Sequence, residues 1–199
     1  MRIGIFGGTF DPPHIGHLIL AAEAQFQLGL DQILWVLTPY PPHKQGHNIT
    51  LIQHRIDMVQ LAIAGNKSFK LSRVDIDRIP PHYAVDTMRL LRENTPGADL
   101  IYLMGEDSLI DLPTWHKPAE FVNECSLIGI MRRPGTGCNF PELEALIPGI
   151  DRKLQFLDTP LIEISATLIR QRIMNGEPFR YYLNPNVYQL VKKRNLYKN

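Results

Sequence analysis

The fold of this chain is decided by its first thirty residues, which are MRIGIFGGTFDPPHIGHLILAAEAQFQLGL, numbered 1–30. Residues 3–6 form a short apolar run of strand length, and Gly7-Gly8 ends it. Apolar residues then recur at spacings of three, four and four positions, at Ile15, Leu18, Ala22 and Phe26. This spacing predicts an amphipathic helix that ends near Gly29. A strand, a glycine turn and a helix in this order are typical of an α/β protein.

The same alternation of strand and helix continues along the chain. Further strands are predicted by apolar runs at residues 33–37, 69–74, 100–104 and 126–131, with short apolar pieces at 154–157 and 161–164. Helices are predicted at residues 51–64, 83–93, 167–174 and 186–194. The strands are continuously apolar, which favours a parallel sheet that is covered on both faces. We therefore expect an α/β fold: one Rossmann-like domain over residues 1–199, with a doubly wound parallel sheet and helices on both faces. Its C-terminal helical part, from about residue 165 to 199, should pack on the sheet.

The composition excludes several classes of protein. The 199 residues are 44% apolar and 21% charged, close to the globular average, so the chain is not disordered as a whole. The formal net charge of +1 argues against a nucleic-acid or membrane-surface binder, which would carry a basic excess. Two cysteines without metal-ligand spacing make no disulfide scaffold and fit a reducing compartment. No apolar run approaches the roughly 18–20 residues of a membrane helix, and the N-terminus lacks the features of a signal peptide. We expect a cytoplasmic protein, and a homo-oligomer is left open.

The turn after the first strand carries residues suited to a phosphate group. Gly7-Gly8 lets backbone N–H groups approach an anion with no side chain in the way. Asp11-Pro12 is typical of a helix start, with Asp as the cap and Pro in the first turn. His14 and His17 would then lie on one face of the helix, and Gly16 between them would leave room for a ligand.

Two other interpretations of the histidine pair stay open at this point. Two nearby histidines are commonly ordinary surface or capping residues. A zinc site is a weaker alternative, because His14 and His17 have no obvious third ligand in the sequence.

The segment from Gly7 to His17 resembles the H-x-G-H motif of the nucleotidyltransferase α/β superfamily, and its GGTFDP lead is similar to the bacterial nicotinate mononucleotide adenylyltransferases. The resemblance implies that His14 and His17 are catalytic and stabilise charge on ATP as its α-phosphorus is attacked. It also implies ATP-binding positions in this turn, at Gly7, Gly8, Thr9, Phe10 and Gly16. The string HIGH also occurs in class I aminoacyl-tRNA synthetases, which share this fold. A synthetase would need a longer chain, an anticodon-binding region and a KMSKS-type loop, and none is visible in the sequence.

The loop after the second strand contains PPHK at residues 41–44, which is similar to the P-x-H-K loop of the family. The resemblance implies that Lys44 is catalytic and contacts the phosphate of the mononucleotide. A lysine there acts as a mobile point charge on an anionic group. Taken alone, an exposed lysine in a proline-rich loop is the ordinary interpretation.

The fourth strand is followed by GED at residues 105–107 and by LPTWH at residues 112–116, which resemble the G-x-D turn and the L-P-x-W-H stretch of the family. The resemblance implies that Gly105 and Asp107 lie against the adenosine of ATP, and that Trp115 stacks on the pyridine ring. The alternative for Trp115 is a core residue, although it lies in a polar, proline-rich stretch.

The segment ISATLIR at residues 164–170 resembles the I-S-S-T-x-I-R pattern of the family, with Ala166 in place of the middle serine. A serine cap and a helix N-terminus can bind phosphate. The resemblance implies that Ser165 binds ATP and that Arg170 is catalytic and holds the departing pyrophosphate. A similar R-P-G turn makes Arg133 a further ATP-binding candidate. In isolation, ISATLIR would be interpreted as an ordinary capped helix with a surface arginine, and the first motif is what favours a functional role.

The clearest departure from the family is RIPPHYAVDT at residues 78–87, where the pattern is R-x-G-P-S-Y-T-x-D-T. The nicotinate mononucleotide would contact Tyr83 and Ala84 here, in addition to the loop and tryptophan already named. The chain differs from the pattern at Pro80, His82 and Ala84.

The resemblance covers nearly the whole chain and implies a nicotinate-nucleotide adenylyltransferase of NAD biosynthesis, formed by one nucleotidyltransferase domain over residues 1–199. Such an enzyme transfers the adenylyl group of ATP to nicotinate mononucleotide and releases deamido-NAD and pyrophosphate. Mg²⁺ would arrive with ATP, with no metal held by protein side chains. The partners would be the two substrates, with no nucleic acid and no membrane. The alternatives are a transferase for nicotinamide mononucleotide or phosphopantetheine, a non-catalytic nucleotide sensor and an RNA-binding module.

Overall fold

The computed structural model describes residues 1–40, 49–132, 137–160 and 162–198. Its strands are β1 (Arg2–Gly8), β2 (Gln32–Leu37), β3 (Phe69–Ser72), β4 (Asp99–Gly105), β5 (Leu127–Met131) and β6 (Leu154–Leu157). Its α-helices are α1 (Ile15–Gln27), α2 (Ile52–Ile63), α3 (Ala84–Asn94), α4 (Glu106–Asp111), α5 (Pro118–Glu124), α6 (Phe140–Leu146), α7 (Ala166–Met174) and α8 (Pro185–Lys193). Over these ranges the six strands form one sheet in the order β3-β2-β1-β4-β5-β6, and every neighbouring pair is parallel.

The strand order reverses between β1 and β4 at the centre of the sheet. The chain winds outward from β1 to β3, returns to β4 beside β1, and then winds outward to the opposite edge. This is the doubly wound arrangement that the strand–helix alternation predicts, so the predicted fold class is confirmed.

The sheet separates two apolar layers, because successive side chains of a strand point to opposite faces. In β4, Ile101 and Leu103 belong to the layer that also contains residues of α1, α2, α7 and α8. Leu100 and Tyr102 belong to the other layer, with residues of α3, α4, α5 and α6. Helices therefore cover both faces, and the C-terminal helices α7 and α8 share a layer with α1 and α2.

The buried face of α1 differs from the one that the apolar spacing predicts. The helix buries Gly16, Leu20, Ala21 and Ala24, whereas Phe26 is 85% exposed. Small side chains dominate the buried stripe, because they let a helix lie close to the sheet. The prediction placed Ile15, Leu18, Ala22 and Phe26 on the apolar face, but Ala22 and Phe26 are exposed and the other two are only half-buried, so it was wrong about which face is covered.

Several other boundaries differ from the sequence-based expectation. Strand β3 ends at Ser72 rather than at Val74, because a turn begins at residue 74. The three short helices α4, α5 and α6 were not predicted, since six or seven residues are too few for a helical period to be recognised. Residues 162–165 precede α7 without forming a strand, and Leu161 lies outside the described residues.

None of the described helices is both long and apolar enough to cross a membrane.

A pair of alanine substitutions on α1 tests which face of the helix is buried. Leu20→Ala should lower the free energy of unfolding by about 2–5 kcal/mol, because Leu20 is only 2% exposed and its loss leaves a cavity. Phe26→Ala should change it by less than about 0.5 kcal/mol, because that ring lies in solvent. Both values follow from denaturant titrations. A larger loss for Phe26→Ala than for Leu20→Ala would contradict the observed orientation of α1.

Candidate active site

A cavity of about 1050 Å³ lies at the carboxyl ends of the strands, beside the point where the strand order reverses. Its walls come from the loops and helix starts that follow the strands. The lining residues predicted from sequence are Gly7, Gly8, Thr9, Phe10, His14, Gly16, His17, Tyr83, Ala84, Gly105, Asp107, Trp115, Ser165 and Arg170. Lys44 and Arg133 lie outside the described residues. The fold therefore brings together every predicted site residue that it describes.

The two histidines of the first loop form the start of α1. His14, not Asp11, is the residue that precedes the first helical turn, so the predicted helix start was three positions too early. The backbone N–H of His14 donates to Nδ1 of His17 at 3.1 Å, and the two rings stack with their centroids 3.6 Å apart. Because Nδ1 of His17 accepts this bond, the hydrogen of a neutral ring lies on Nε2. His17 thus presents a donor on its other nitrogen.

Gly7 at the end of β1 and Gly16 in the first turn of α1 lie in closely packed surroundings. A Cβ on Gly7 would lie 2.5 Å from the hydroxyl oxygen of Tyr102, which is a clash. A Cβ on Gly16 would lie 3.2 Å from the ring of His14. The space beside Gly16, which we expected to receive a ligand, is therefore partly filled by His14. Burial raises the pKa of the Tyr102 hydroxyl, so this group stays protonated as it packs on Gly7.

The start of α7 forms the wall next to the histidines. Ser165 caps the helix, and its Oγ accepts from the N–H of Leu168 at 3.1 Å. Arg170 donates from Nη1 to the backbone carbonyl of Asp11 at 2.8 Å and from Nη2 to Oγ1 of Thr167 at 3.2 Å. The first of these bonds joins residues 159 positions apart. It brings the arginine of the last motif directly to the first motif.

An aromatic wall lies at the opposite end of the cavity. Tyr83 precedes α3, and its ring stacks on His116 with centroids 4.0 Å apart. Trp115 is half-buried and packs against Tyr102 and Phe121 with centroid separations of 6.2 and 5.3 Å. Trp115 thus belongs partly to the core, as one alternative held, and also lines the cavity.

The segment that differs most from the family pattern is held by Arg78. Its guanidinium donates to the buried carboxylate of Asp75 at 3.0 Å and to the backbone carbonyls of Pro81 and Tyr83 at 2.8 and 3.1 Å. These bonds fix the chain just before α3. His82 is buried in the same segment, and its Nε2 lies 3.3 Å from the carbonyl of Arg78. Nδ1 of His82 has no hydrogen-bond partner among the described residues.

Gly105 and Asp107 stand at the start of α4, directly after the central strand β4. Gly105 has extended backbone angles and precedes the helix, and Asp107 lies in its first turn. Both line the cavity. The described residues contain no group of three or more His, Cys, Asp or Glu that could hold a metal ion, so they give no support to a zinc site.

Comparison with known proteins gives the family. The model of the cytidylyltransferase-like family matches residues 5–172. Nicotinate-nucleotide adenylyltransferase of Bacillus subtilis is 40% identical over 198 residues, which are 100% of this chain and 99% of that protein. A Thermomicrobium roseum protein named "Probable nicotinate-nucleotide adenylyltransferase" is 43% identical over 197 residues, covering 99% of this chain and 92% of the relative. The chain belongs to the nicotinate-nucleotide adenylyltransferase family.

A solved structure of the same kind of enzyme has the same fold. Plasmodium falciparum nicotinic acid mononucleotide adenylyltransferase, complexed with NaAD, superimposes with a TM-score of 0.81 at 20% sequence identity. The match covers 98% of this chain and 97% of that one. At this low identity the likeness supports the fold alone.

Sequence inspection missed a buried polar cluster beneath this family's first motif. Arg55 is 2% exposed and donates four hydrogen bonds, all to backbone carbonyls. Burial lowers the pKa of its guanidinium, while the negative charge of Asp11 opposes that effect. One sign of this role was available: Arg55 is three positions after Ile52 and four before Val59, and so lies on the apolar face of α2.

Proposed function

We propose that this protein transfers the adenylyl group of ATP to nicotinate mononucleotide, giving deamido-NAD and pyrophosphate, in the biosynthesis of NAD. The observation that carries the proposal is the meeting of three motifs in one cavity: the histidine loop before α1, the capped start of α7 with Arg170, and the wall around Trp115. The full-length similarity to relatives named for this activity supports it.

The two ends of the cavity suit the two substrates. ATP would lie with its phosphates between the starts of α1 and α7, where backbone N–H groups, two histidines and Arg170 favour negative charge. Its adenosine would lie near Gly105 and Asp107. The pyridine ring of the mononucleotide would stack on Trp115, near Tyr83 and Ala84. Lys44 is proposed to contact the mononucleotide phosphate, and Arg133 the phosphates of ATP.

The reaction needs positioning and charge stabilisation rather than a covalent enzyme intermediate. An oxygen of the mononucleotide 5′-phosphate attacks the α-phosphorus of ATP. The new P–O bond forms as the bond between the α-phosphorus and the bridging oxygen breaks, and pyrophosphate leaves with that oxygen. His14 and His17 stabilise the charge that develops on the α-phosphate and the bridging oxygen, and Nε2–H of His17 is a suitable donor. Arg170 and Ser165 hold the departing pyrophosphate.

We propose that Mg²⁺ enters with ATP. The starts of α1 and α7 contribute histidines, a serine and an arginine to the cavity, and these side chains suit phosphate oxygens. Mg²⁺ favours phosphate oxygens and water, and when bound it neutralises charge on the triphosphate. The whole chain would act as one nucleotidyltransferase domain in the cytoplasm, with ATP and nicotinate mononucleotide as its partners.

A pyrophosphate-release assay tests the proposal. The protein is incubated with ATP, Mg²⁺ and one of nicotinate mononucleotide, nicotinamide mononucleotide or phosphopantetheine. We expect release of pyrophosphate in step with deamido-NAD when the nicotinate form is present. Release with phosphopantetheine alone would assign the site to another transferase, and tight ATP binding without any release would favour a nucleotide sensor.

His17→Ala should lower kcat about 10²–10³-fold, because one donor to the developing charge is removed. The affinity for the mononucleotide should change far less, since His17 belongs to the other end of the cavity. Steady-state kinetics with both substrates varied measures the two effects separately. A variant with near-normal turnover would exclude His17 from the mechanism.

Arg170→Ala should raise the KM for ATP and slow turnover, because a cation aimed at the phosphates is lost. Lys193→Ala is the matched control, since Lys193 is an exposed cation near the end of α8. Kinetics at fixed ionic strength compare the two variants. Equal effects would mean that overall positive charge matters, and not the position of Arg170.

We expect the enzyme to prefer the acid to the amide mononucleotide, although Ala84 lacks a side-chain hydroxyl. Stacking on Trp115 does not distinguish carboxylate from amide. Backbone N–H groups at the start of α3 do distinguish the two groups. Both oxygens of a carboxylate accept hydrogen bonds from such N–H groups, whereas an amide turns its NH₂ donor toward one of them and leaves it without an acceptor. That mismatch corresponds to a preference of about 10- to 100-fold in kcat/KM.

The kcat/KM values for the two mononucleotides at neutral pH give this ratio directly. Ala84→Thr restores the hydroxyl and should change the ratio far less than the wild-type preference itself. A wild-type ratio near one, or one in favour of the amide, would refute recognition by the backbone.

A further inference from the structure

The C-terminal segment reaches the first motif through a single side chain. The hydroxyl of Tyr197 donates to Oδ1 of Asp11 at 2.6 Å, across 186 positions of sequence. The other carboxylate oxygen of Asp11 accepts from the backbone N–H of Thr50 at 3.0 Å. Asp11 is 4% exposed, so this carboxylate is almost removed from water and is satisfied by these neighbours.

Asp11 also contacts Arg170, through its backbone carbonyl. The backbone carbonyl of Asp11 accepts from Nη1 of Arg170, whose guanidinium lines the phosphate end of the cavity. The side chain of Asp11 thus holds the loop in place. The backbone carbonyl of the same residue then orients Arg170. Arg55 donates to the carbonyl of Thr9 in this loop and to the carbonyl of Thr50, the residue whose N–H donates to Asp11.

The backbone on both sides of this contact is held in an uncommon conformation. Phe10, directly before Asp11, has a φ of 49°, and Tyr197 itself has a φ of 64°. Side chains other than glycine seldom adopt positive φ, and aromatic residues have no local polar group that would favour it. Surrounding contacts therefore hold both residues, and the bond from Tyr197 to Asp11, the neighbour of Phe10, is one of these contacts.

We propose that Tyr197 and Asp11 are positioning residues of the adenylyl transfer, which act by holding the guanidinium of Arg170 toward the phosphates of ATP. This inference rests on the proposed function, because it needs Arg170 to bind a phosphate of the substrate. Neither Tyr197 nor the Asp11 carboxylate needs to touch the substrate. The Tyr197 hydroxyl supplies a neutral donor, since burial and the adjacent carboxylate raise its pKa.

Tyr197→Phe removes only the hydroxyl and leaves the ring in its apolar surroundings. We expect kcat/KM for ATP to fall about tenfold, as for the loss of a hydrogen bond to a charged group. The KM for nicotinate mononucleotide should stay nearly constant, because the aromatic end of the cavity is unaffected. Tyr188→Phe is the matched control: it is a half-buried tyrosine of α8 whose ring packs on Phe179 with centroids 5.0 Å apart. That variant should keep wild-type kinetics.

A double-mutant cycle separates positioning from stability. Tyr197→Phe, Arg170→Ala and the double variant are compared for kcat/KM and for the dissociation constant of ATP, alongside the melting temperature. If Tyr197 acts through Arg170, Tyr197→Phe should have less than about a twofold effect once Arg170 is alanine. Effects that multiply fully in the double variant would overturn the proposal. So would a loss of activity in Tyr197→Phe that merely follows the fraction of unfolded protein.

The dissociation constants of ATP test this proposal separately from the proposed function. If the wild-type protein releases no pyrophosphate with any mononucleotide, the proposed function fails. The cycle on ATP affinity still tests whether Tyr197 positions Arg170. Coupling in ATP affinity would support the positioning role, and its absence would overturn it.

Discussion

The carboxyl ends of β1 and β4 lie side by side at the centre of a parallel sheet, and the rest of the site depends on this constraint. The chain leaves β1 toward one face and β4 toward the other, because the strand order reverses between them. A crevice must open where the two connections part. The histidine loop follows β1 and the Gly105 turn follows β4, so the strand order alone places both beside that crevice.

The two ends of the crevice differ in chemistry because different layers supply them. The helices α1 and α7 begin at one end, and their first turns present N–H groups to an anion. The other end is bordered by Tyr83, Trp115 and His116, whose rings pack on each other or on the core. A substrate pair with phosphates in the middle and a flat ring at one end matches this division. The match is a consequence of topology as much as of the individual residues.

Much of the fold and of the candidate site could be predicted from the sequence. The features that could not be predicted share one cause. The strands were predictable because buried parallel strands are continuously apolar, and the loop at Gly7-Gly8 because glycines, proline and histidines follow a strand at once. The buried face of α1 was not predictable, because alanines such as Ala21 and Ala24 are only weakly apolar and occur on buried and exposed faces alike. The bond from Tyr197 to Asp11 was not either, since no local pattern indicates which residues meet across 186 positions. Sequence periodicity reports burial within one element, whereas these features depend on contacts between elements.

Arg55 and Arg170 differ in how many of their N–H groups are engaged by the described residues. A guanidinium has five N–H groups in a fixed planar arrangement. Arg55 donates four hydrogen bonds to the backbone carbonyls of residues 9, 38, 39 and 50. It is not among the described residues that line the cavity. Arg170 is half-buried and, among the described residues, donates to one backbone carbonyl and one threonine hydroxyl, which engages fewer of its N–H groups than Arg55 engages. The bond to the carbonyl of Asp11 restricts where the guanidinium lies along the cavity wall. Part of the entropic cost of ordering a long side chain is therefore met on folding, which lowers the reorganisation needed for the phosphate contact that we propose for Arg170.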